Sequence, residues 1–159
     1  MNIRLRNLKP QDCPILERLL SRISIFGKDD EVFAMELIYH ALGQADQKDY
    51  SFFIAVNDDD CPVGYTCYGP TPLTEGTFDL YWIVVDPTFS GQGIGTILMT
   101  AVEEEIRKMK GRMIIIETSS GQHYALTHKF YLKNGYQLAE TIQDFYREGE
   151  DRVTYTKKF

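Results

Sequence analysis

A glycine-rich loop stands between a strand and a long amphipathic helix. The loop reads Gly91-Gln92-Gly93-Ile94-Gly95, and the predicted strand before it spans Thr77–Val85. Backbone N–H groups at the start of a helix have no partner inside the helix, so such a loop points several donors at one place. Glycine adds no Cβ between those donors and an anion. The arrangement predicts a binding site for a pyrophosphate group.

Two common phosphate-binding motifs do not fit this loop. A Walker-type loop needs a Lys followed by Ser or Thr, whereas Gly95 is followed by Thr96 and Ile97. A dinucleotide fingerprint needs a wider spacing before its last glycine and a place at the start of a βαβ unit, whereas this loop follows a mid-chain strand. By itself, the loop could also be a glycine turn that packs a helix against a sheet.

The length and composition of the chain favour one globular domain over residues 1–159. The chain has 159 residues, of which 43% are hydrophobic and 25% charged. No apolar stretch approaches the roughly 18 residues that cross a bilayer, and the first six residues lack the apolar core of a secretory signal. We therefore expect a cytoplasmic protein that has no membrane partner.

The charge and the cysteine content of the chain limit the kinds of partner and site that we expect. A net charge of -6 argues against nucleic acid, because phosphate-backbone binding needs clustered Lys and Arg, and favours a cationic substrate. Three cysteines, Cys13, Cys61 and Cys67, include no C-x-x-C pair, so we expect neither a disulfide framework nor a metal site.

The apolar periodicity predicts an α/β chain with four helices. The helix after the loop, residues 91–109, has the clearest helical spacing. Of the other three, one begins at Pro10, one runs from a cap at Asp29 or Asp30 to about Gly43, and one spans residues 124–134. The predicted strands are residues 3–8, 51–56, 62–68, 77–85, 113–116, 136–144 and 152–158. Residues 69–76 read as irregular. The apolar run 113–116 predicts a buried strand with parallel neighbours, so we expect a partly parallel sheet.

The loop and its surroundings resemble the GNAT superfamily of N-acetyltransferases. The family signature, R/Q-x-x-G-x-G/A after a strand that ends in a V-x-P-like turn, is matched by residues 83–87 and 90–95, with Ser90 where Arg or Gln is usual. Residues 130–136 are similar to the family segment F/L-Y-x-x-x-G-F/Y. The resemblance implies a GNAT-like mixed sheet, largely antiparallel, that is splayed between strands 4 and 5 and flanked by about four helices.

The resemblance also implies acetyl-CoA as the acyl donor. Its pyrophosphate would lie on the glycine-rich loop, and its pantetheine arm would enter the splayed gap and pair with the main chain of the fourth strand. The residues implied in cofactor binding are Ile83, Val84, Val85, Ser90, Gly91, Gln92, Gly93, Ile94, Gly95, Thr96, Tyr124 and Phe130.

Acetyl transfer to an amine needs a proton acceptor and a proton donor. An amine attacks a thioester only as the neutral base, and the departing thiolate gains from a proton. The resemblance implies Tyr131 as the general acid and either Glu117 or Asp79 as the base, both facing the gap. Tyr131 could instead be a core residue, and either carboxylate could be solvated or paired with a lysine. Tyr65, Tyr68, Tyr81 and Trp82 could line an acceptor pocket or belong to the core.

Three functional hypotheses remain open at this point. The first is an enzyme that moves acetyl from acetyl-CoA to a primary amine of a small-molecule or amino-acid-like acceptor, by direct attack in a ternary complex without a metal. The second is acetylation of a peptide N-terminus or a protein lysine. The third is a non-catalytic acyl-CoA-binding regulatory module. The sequence leaves open whether the chain is a monomer or a homodimer, and whether the donor carries a longer acyl group.

Overall fold

Seven strands and four α-helices make up the chain, and the computed structural model describes all of its residues, 1–159. The strands are β1 Arg4–Arg6, β2 Ser51–Val56, β3 Pro62–Pro70, β4 Thr77–Val85, β5 Met113–Ser119, β6 Gln137–Arg147 and β7 Glu150–Lys158. The helices are α1 Cys13–Ser21, α2 Lys28–Gly43, α3 Ile94–Lys108 and α4 Ala125–Lys133. None of these helices has the length and apolarity that a membrane span requires.

All seven strands form one sheet in the order β1-β2-β3-β4-β5-β7-β6. Every neighbouring pair is antiparallel except β4 and β5, which are parallel. The parallel pairing joins Thr77 to Met113, Phe78 to Ile114 and Asp79 to Ile115, and it ends there. Beyond these three pairs the two strands diverge, which confirms the predicted mixed sheet splayed between strands 4 and 5.

The strand β5 differs in one respect from its prediction. Its apolar run suggested parallel neighbours, but only β4 is parallel to it, and β7 on its other side is antiparallel. Helices cover one face of the run, and its residues on the other face, Met113 and Ile115, are only partly buried. Ile114 and Ile116 face a buried cluster, and both are almost fully buried.

A β-bulge lies in β4 just after the segment that pairs with β5. Cys67 of β3 stands opposite Trp82, and the next β3 residue, Tyr68, stands opposite Leu80, so Tyr81 is the extra residue. Tyr81 and Trp82 pack against the same cluster, which places two consecutive side chains on one face of the sheet. A bulge bends its strand and increases the local twist. β4 therefore turns away from β5 where the gap opens.

Helices cover the two faces of the sheet unequally. α1 and α2 pack on one face of β2, β3 and β4, which we call the first face. α3 and α4 pack on the opposite, second face, where they also cover β5 and β7. Residue alternation along β5 and β7 then places Glu117, Arg152 and Thr154 on the first face.

A buried ion pair ties α3 to the far half of the sheet. Glu103 of α3 is 7% exposed, and the Nζ atom of Lys157 in β7 lies 2.9 Å and 3.1 Å from its two carboxylate oxygens. The Tyr136 hydroxyl donates to the same carboxylate at 2.9 Å, and Lys157 also donates to the Asn134 carbonyl. The carboxylate is thus both paired and hydrogen-bonded, which a buried charge requires.

The start of α2 and the ends of two strands differ from their predictions. Gly27, in extended conformation, caps α2, and Asp30 is the third helical residue, whose carboxylate accepts a hydrogen bond from the Gly27 N–H at 2.8 Å. Neither Asp29 nor Asp30 is the cap. The strand β3 continues to Pro70, inside the segment predicted as irregular, and β6 continues to Arg147 because a turn of only two residues joins it to β7.

We expect Lys157→Met to lower the free energy of unfolding by about 3 kcal/mol, because it leaves the Glu103 carboxylate buried without a cation. Urea denaturation measures this change. Lys158→Met, at the neighbouring exposed position, is the control and should change stability by less than about 0.5 kcal/mol. Equal losses in the two variants would show that the buried pair does not contribute.

Candidate functional site

The glycine-rich loop presents free backbone donors in front of α3. Gly91 and Gly93 have φ angles of 76° and 81°, in the left-handed region that glycine adopts without strain. The first helical hydrogen bond runs from the Ile97 N–H to the Gly93 carbonyl, and the N–H groups of residues 91–96 donate to no protein acceptor. A Cβ at Gly91 or Gly93 would meet no atom within 4 Å. The loop therefore fits a pyrophosphate.

Neighbouring elements fix the position of this loop. Asp86, which is buried at the end of β4, accepts a hydrogen bond from the Thr88 N–H at 2.9 Å and pairs with Arg22 at the end of α1. On the other side, the Phe130 ring of α4 packs so closely on Gly95 that a Cβ there would lie 3.2 Å from it. The predicted loop residue Ser90 is exposed, and its N–H bonds to the Pro87 carbonyl.

The gap between β4 and β5 opens beside the predicted pantetheine-binding residues. Ile83, Val84 and Val85 pair with β3 along one edge of β4, opposite Thr66, Tyr65 and Gly64 respectively. Their other edge has no strand partner, because the pairing with β5 ended at Asp79. An extended chain that entered the gap could therefore bond to this free edge.

Tyr131 packs in the buried cluster on the second face of the sheet. The side chain is 5% exposed, and its ring centroid is 5.5 Å from that of Tyr155 and 6.3 Å from that of Tyr136. Burial raises the pKa of the Tyr131 phenol. Like an ordinary phenol, it holds its proton at neutral pH, and burial extends this to higher pH.

The two candidate bases occupy different surroundings on the first face. Glu117 lies in the diverging part of β5, opposite Thr154 of β7, and its side chain is 46% exposed. Asp79 lies in the paired part of β4, and its carboxylate accepts a hydrogen bond from the Thr71 hydroxyl at 2.7 Å. Only Glu117 is located in the open part of the gap.

An aromatic wall borders the first face next to the bulge. The Trp82 ring packs edge-on against Phe26 at 5.3 Å and lies 6.3 Å from Phe33 at the start of α2. The Trp82 Nε1 atom is buried and has no hydrogen-bond partner in the protein. By contrast, Tyr65 and Tyr68, which the sequence grouped with Trp82, belong to the core.

Two phenols, Tyr124 and Tyr146, have raised pKa values. Burial, followed by the Asp30 carboxylate, raises the pKa of Tyr124, which the sequence had assigned to cofactor binding. Burial, followed by the Glu117 carboxylate, raises the pKa of Tyr146 in β6. Asp30 and Glu117 thus contribute to raising these pKa values, whereas Arg152 lowers that of Tyr146.

Sequence reasoning did not single out Arg152, Tyr146, Phe26 or Phe33. Arg152 is an isolated basic residue in the last strand, and Tyr146 and the two phenylalanines have no distinctive spacing. Only strand register and helix placement bring them together. The alternation of Arg152 and Thr154 along β7 was the one available signal, since it puts two polar side chains on the same face.

The sequence profile described as the Acetyltransferase (GNAT) family matches residues 16–136. A crystal structure from Desulfovibrio desulfuricans that is assigned to the same family superposes with a TM-score of 0.94, is 36% identical and covers 99% of both chains. The chain belongs to the GNAT family of acetyltransferases. This membership confirms the predicted enzyme class and the predicted acyl donor, acetyl-CoA.

More distant structures share the fold of this acetyltransferase. The ribosomal-protein-S18-alanine N-acetyltransferase of Escherichia coli is 18% identical, with a TM-score of 0.76 and coverage of 99% of this chain and 94% of that one. The PaiA N-acetyltransferase of Thermoplasma acidophilum, solved with coenzyme A, is 17% identical, with a TM-score of 0.76 and full coverage of both chains. No curated protein matches the chain.

We expect Gly93→Asp to weaken acetyl-CoA binding about a hundredfold or more, because it places a carboxylate against a pyrophosphate and like charges cost several kcal/mol. Isothermal titration calorimetry measures the affinity. Gly149→Asp is a matched control, since Gly149 has a φ of 82° and equally open surroundings in the β6-β7 turn. An unchanged affinity in Gly93→Asp would remove the loop from the cofactor site.

Proposed function

We propose that this acetyltransferase moves the acetyl group of acetyl-CoA to a primary amine of a small-molecule or amino-acid-like acceptor, in the cytoplasm. The observation that supports this proposal is the arrangement across the gap. A carboxylate, Glu117, stands on the first face, and a protonated phenol, Tyr131, stands on the second face. A thioester between them would have a proton acceptor on one side and a proton donor on the other.

The proposed reaction is a direct transfer. Glu117 accepts a proton from the acceptor ammonium, so that the neutral nitrogen can form a bond to the thioester carbonyl carbon. Tyr131 donates its proton to the sulfur as the carbon–sulfur bond breaks. The nitrogen, once bonded to carbon, loses its second proton to the phenolate and so restores the phenol. The products are the amide and free coenzyme A, and Glu117 passes the proton that it accepted to solvent.

The surroundings of Glu117 favour a cationic acceptor with an apolar part. Asp30 and Glu117 supply negative charge near Tyr124 and Tyr146. The wall formed by Trp82, Phe26 and Phe33 offers apolar surface beside them. Protonated amines gain from both, through charge attraction and through contact with aromatic faces.

A coupled assay for released coenzyme A tests the proposal across a panel of amines. The panel should contain alkylamines, polyamines, amino-acid amides, free amino acids and short peptides. We expect turnover with at least one member that is a small amine or an amino-acid derivative. Turnover only with the short peptides would contradict the proposed acceptor class, and binding of acetyl-CoA without turnover of any amine would contradict the proposed reaction.

We expect Glu117→Gln to lower kcat/KM most at low pH, where most of the acceptor is protonated and needs a base. Steady-state kinetics across the pH range measures the effect. Asp79→Asn removes the other candidate carboxylate and serves as the comparison. If Asp79→Asn causes the larger loss, the two roles should be exchanged, and if neither matters, the amine loses its proton to water.

We expect Tyr131→Phe to lower kcat about 10²-fold to 10⁴-fold while acetyl-CoA affinity and folding are retained. Because burial raises the pKa of Tyr131, the wild-type kcat should not fall near pH 10, at about the value where ordinary phenols titrate. Steady-state kinetics and thermal unfolding on the same preparation measure both effects.

The control for this variant is Tyr136→Phe. It removes a neighbouring buried hydroxyl, which bonds to Glu103. It should lower stability by roughly 1 kcal/mol and leave turnover per folded molecule nearly unchanged. A Tyr131→Phe enzyme that shows this same pattern would have lost only a structural hydroxyl.

A further inference from the structure

Arg152 lies beside the candidate base and bridges three strands. It is located in β7, two residues before Thr154, and Thr154 stands opposite both Glu117 of β5 and Glu140 of β6. The Nη1 atom of Arg152 is 3.7 Å from Glu117, and its Nη2 atom is 3.2 Å from Glu140. The guanidinium therefore lies between two carboxylates, on the face of the sheet that the acceptor would approach.

The hydrogen-bonding capacity of this guanidinium is largely unused. Arginine has five N–H donors, and the bond to Glu140 is the single side-chain hydrogen bond that Arg152 donates. Both carboxylate contacts are longer than the 2.7 to 2.9 Å typical of charge-assisted hydrogen bonds. The Nε atom is buried and has no partner in the protein, although buried donors nearly always have one.

A second polar group near Glu117 also lacks a hydrogen-bond partner. The Thr154 side chain is 8% exposed, and its hydroxyl oxygen also has no hydrogen-bond partner in the protein. Thr154 stands directly opposite Glu117 and two residues from Arg152 on the same face. Two underused polar groups thus flank the carboxylate proposed to take the amine proton.

We propose that Arg152 is a specificity-determining residue that binds a carbonyl or carboxylate oxygen next to the amine of the acceptor. The acceptor would then be an α-amino carbonyl compound, and this inference rests on the proposed function of the site. In such a compound the carbonyl carbon is two bonds from the amine nitrogen. Amine and carbonyl can therefore meet Glu117 and Arg152 together, since these two side chains are only 3.7 Å apart.

The same pair of charges disfavours acceptors that lack the carbonyl group. A protonated alkylamine or polyamine at Glu117 would bring its positive charge close to the guanidinium and offer no oxygen to it. The carbonyl oxygen of an α-amino compound offsets that repulsion with a hydrogen bond to the guanidinium. The Phe145 ring, whose centroid is 4.8 Å from the guanidinium carbon, stacks on Arg152 and keeps its plane oriented.

Leucinamide and isoamylamine form the matched pair of acceptors for the test, because they share the amine and the apolar side chain and differ only by the carboxamide. Each acceptor is compared between wild-type and Arg152→Gln enzymes, so differences in amine basicity cancel. We expect Arg152→Gln to lower kcat/KM at least about tenfold with leucinamide and less than about twofold with isoamylamine. Arg152→Lys, which lacks the planar fork, should behave like Arg152→Gln.

Arg147→Gln is the control variant, because Arg147 forms an ion pair with Glu150 in the same hairpin. It should leave the preference for leucinamide unchanged. Titration of leucinamide into the enzyme in the presence of coenzyme A gives a readout besides activity, and Arg152→Gln should weaken this binding at least about tenfold. Free leucine and a short peptide with N-terminal leucine then show whether a carboxylate or an amide carbonyl is preferred.

The outcomes separate this proposal from the one on which it rests. Wild-type turnover with an equal loss for both acceptors in Arg152→Gln would overturn the role of Arg152 and leave the proposed reaction intact. A complete lack of turnover with any amine would overturn the proposed reaction. In that case, leucinamide binding that is absent, or unchanged by Arg152→Gln, would overturn the carbonyl contact as well.

Discussion

Three parallel residue pairs are all that join β4 to β5, and the rest of the structure depends on this limit. They connect a half made of β1 to β4 with a half made of β5, β7 and β6. Longer pairing would close the gap and leave no free edge on β4 for a bound chain. Shorter pairing would leave the halves linked only by helices. α3 spans the second face, and its buried Glu103 pairs with Lys157 of β7. This ion pair links the two halves where β4 and β5 do not pair.

The divergence of the strands also explains how opposite chemical groups can meet. In a continuous sheet, the first and second faces are separated by the backbone itself. Where β4 and β5 part, we expect Glu117 on the first face and Tyr131 on the second face to reach the same space. The bulge at Tyr81 contributes to this opening and also turns Trp82 to the first face, where it forms the aromatic wall with Phe26 and Phe33. One local irregularity thus shapes both the gap and the aromatic wall.

The sequence was most informative where structure is local. The glycine loop and α3 follow from spacing within a few residues, and so the splayed sheet could be inferred through the family resemblance. The roles of Glu117 and Asp79 could not be separated in this way, because only strand register shows that pairing ends at Asp79. The position of Arg152 beside the site also depends on strand register, since its neighbours Glu117 and Glu140 are distant in the chain.

The start of α2 was mispredicted because an acidic residue in the first turn, Asp30, has the same sequence signature as a cap. The assignments of individual site residues stay predictions.

The burial of Cys67 has a consequence for an enzyme whose product is a thiol. Cys67 lies on β3 opposite Trp82, next to the strand along which coenzyme A would lie, and it is completely enclosed. Burial raises the pKa of its thiol, so it does not form the thiolate that attacks disulfides. Coenzyme A that has been oxidised to a disulfide therefore finds no reactive sulfur at this position. The strand that would bind coenzyme A can therefore meet both its thiol and its disulfide forms without forming a mixed disulfide at Cys67.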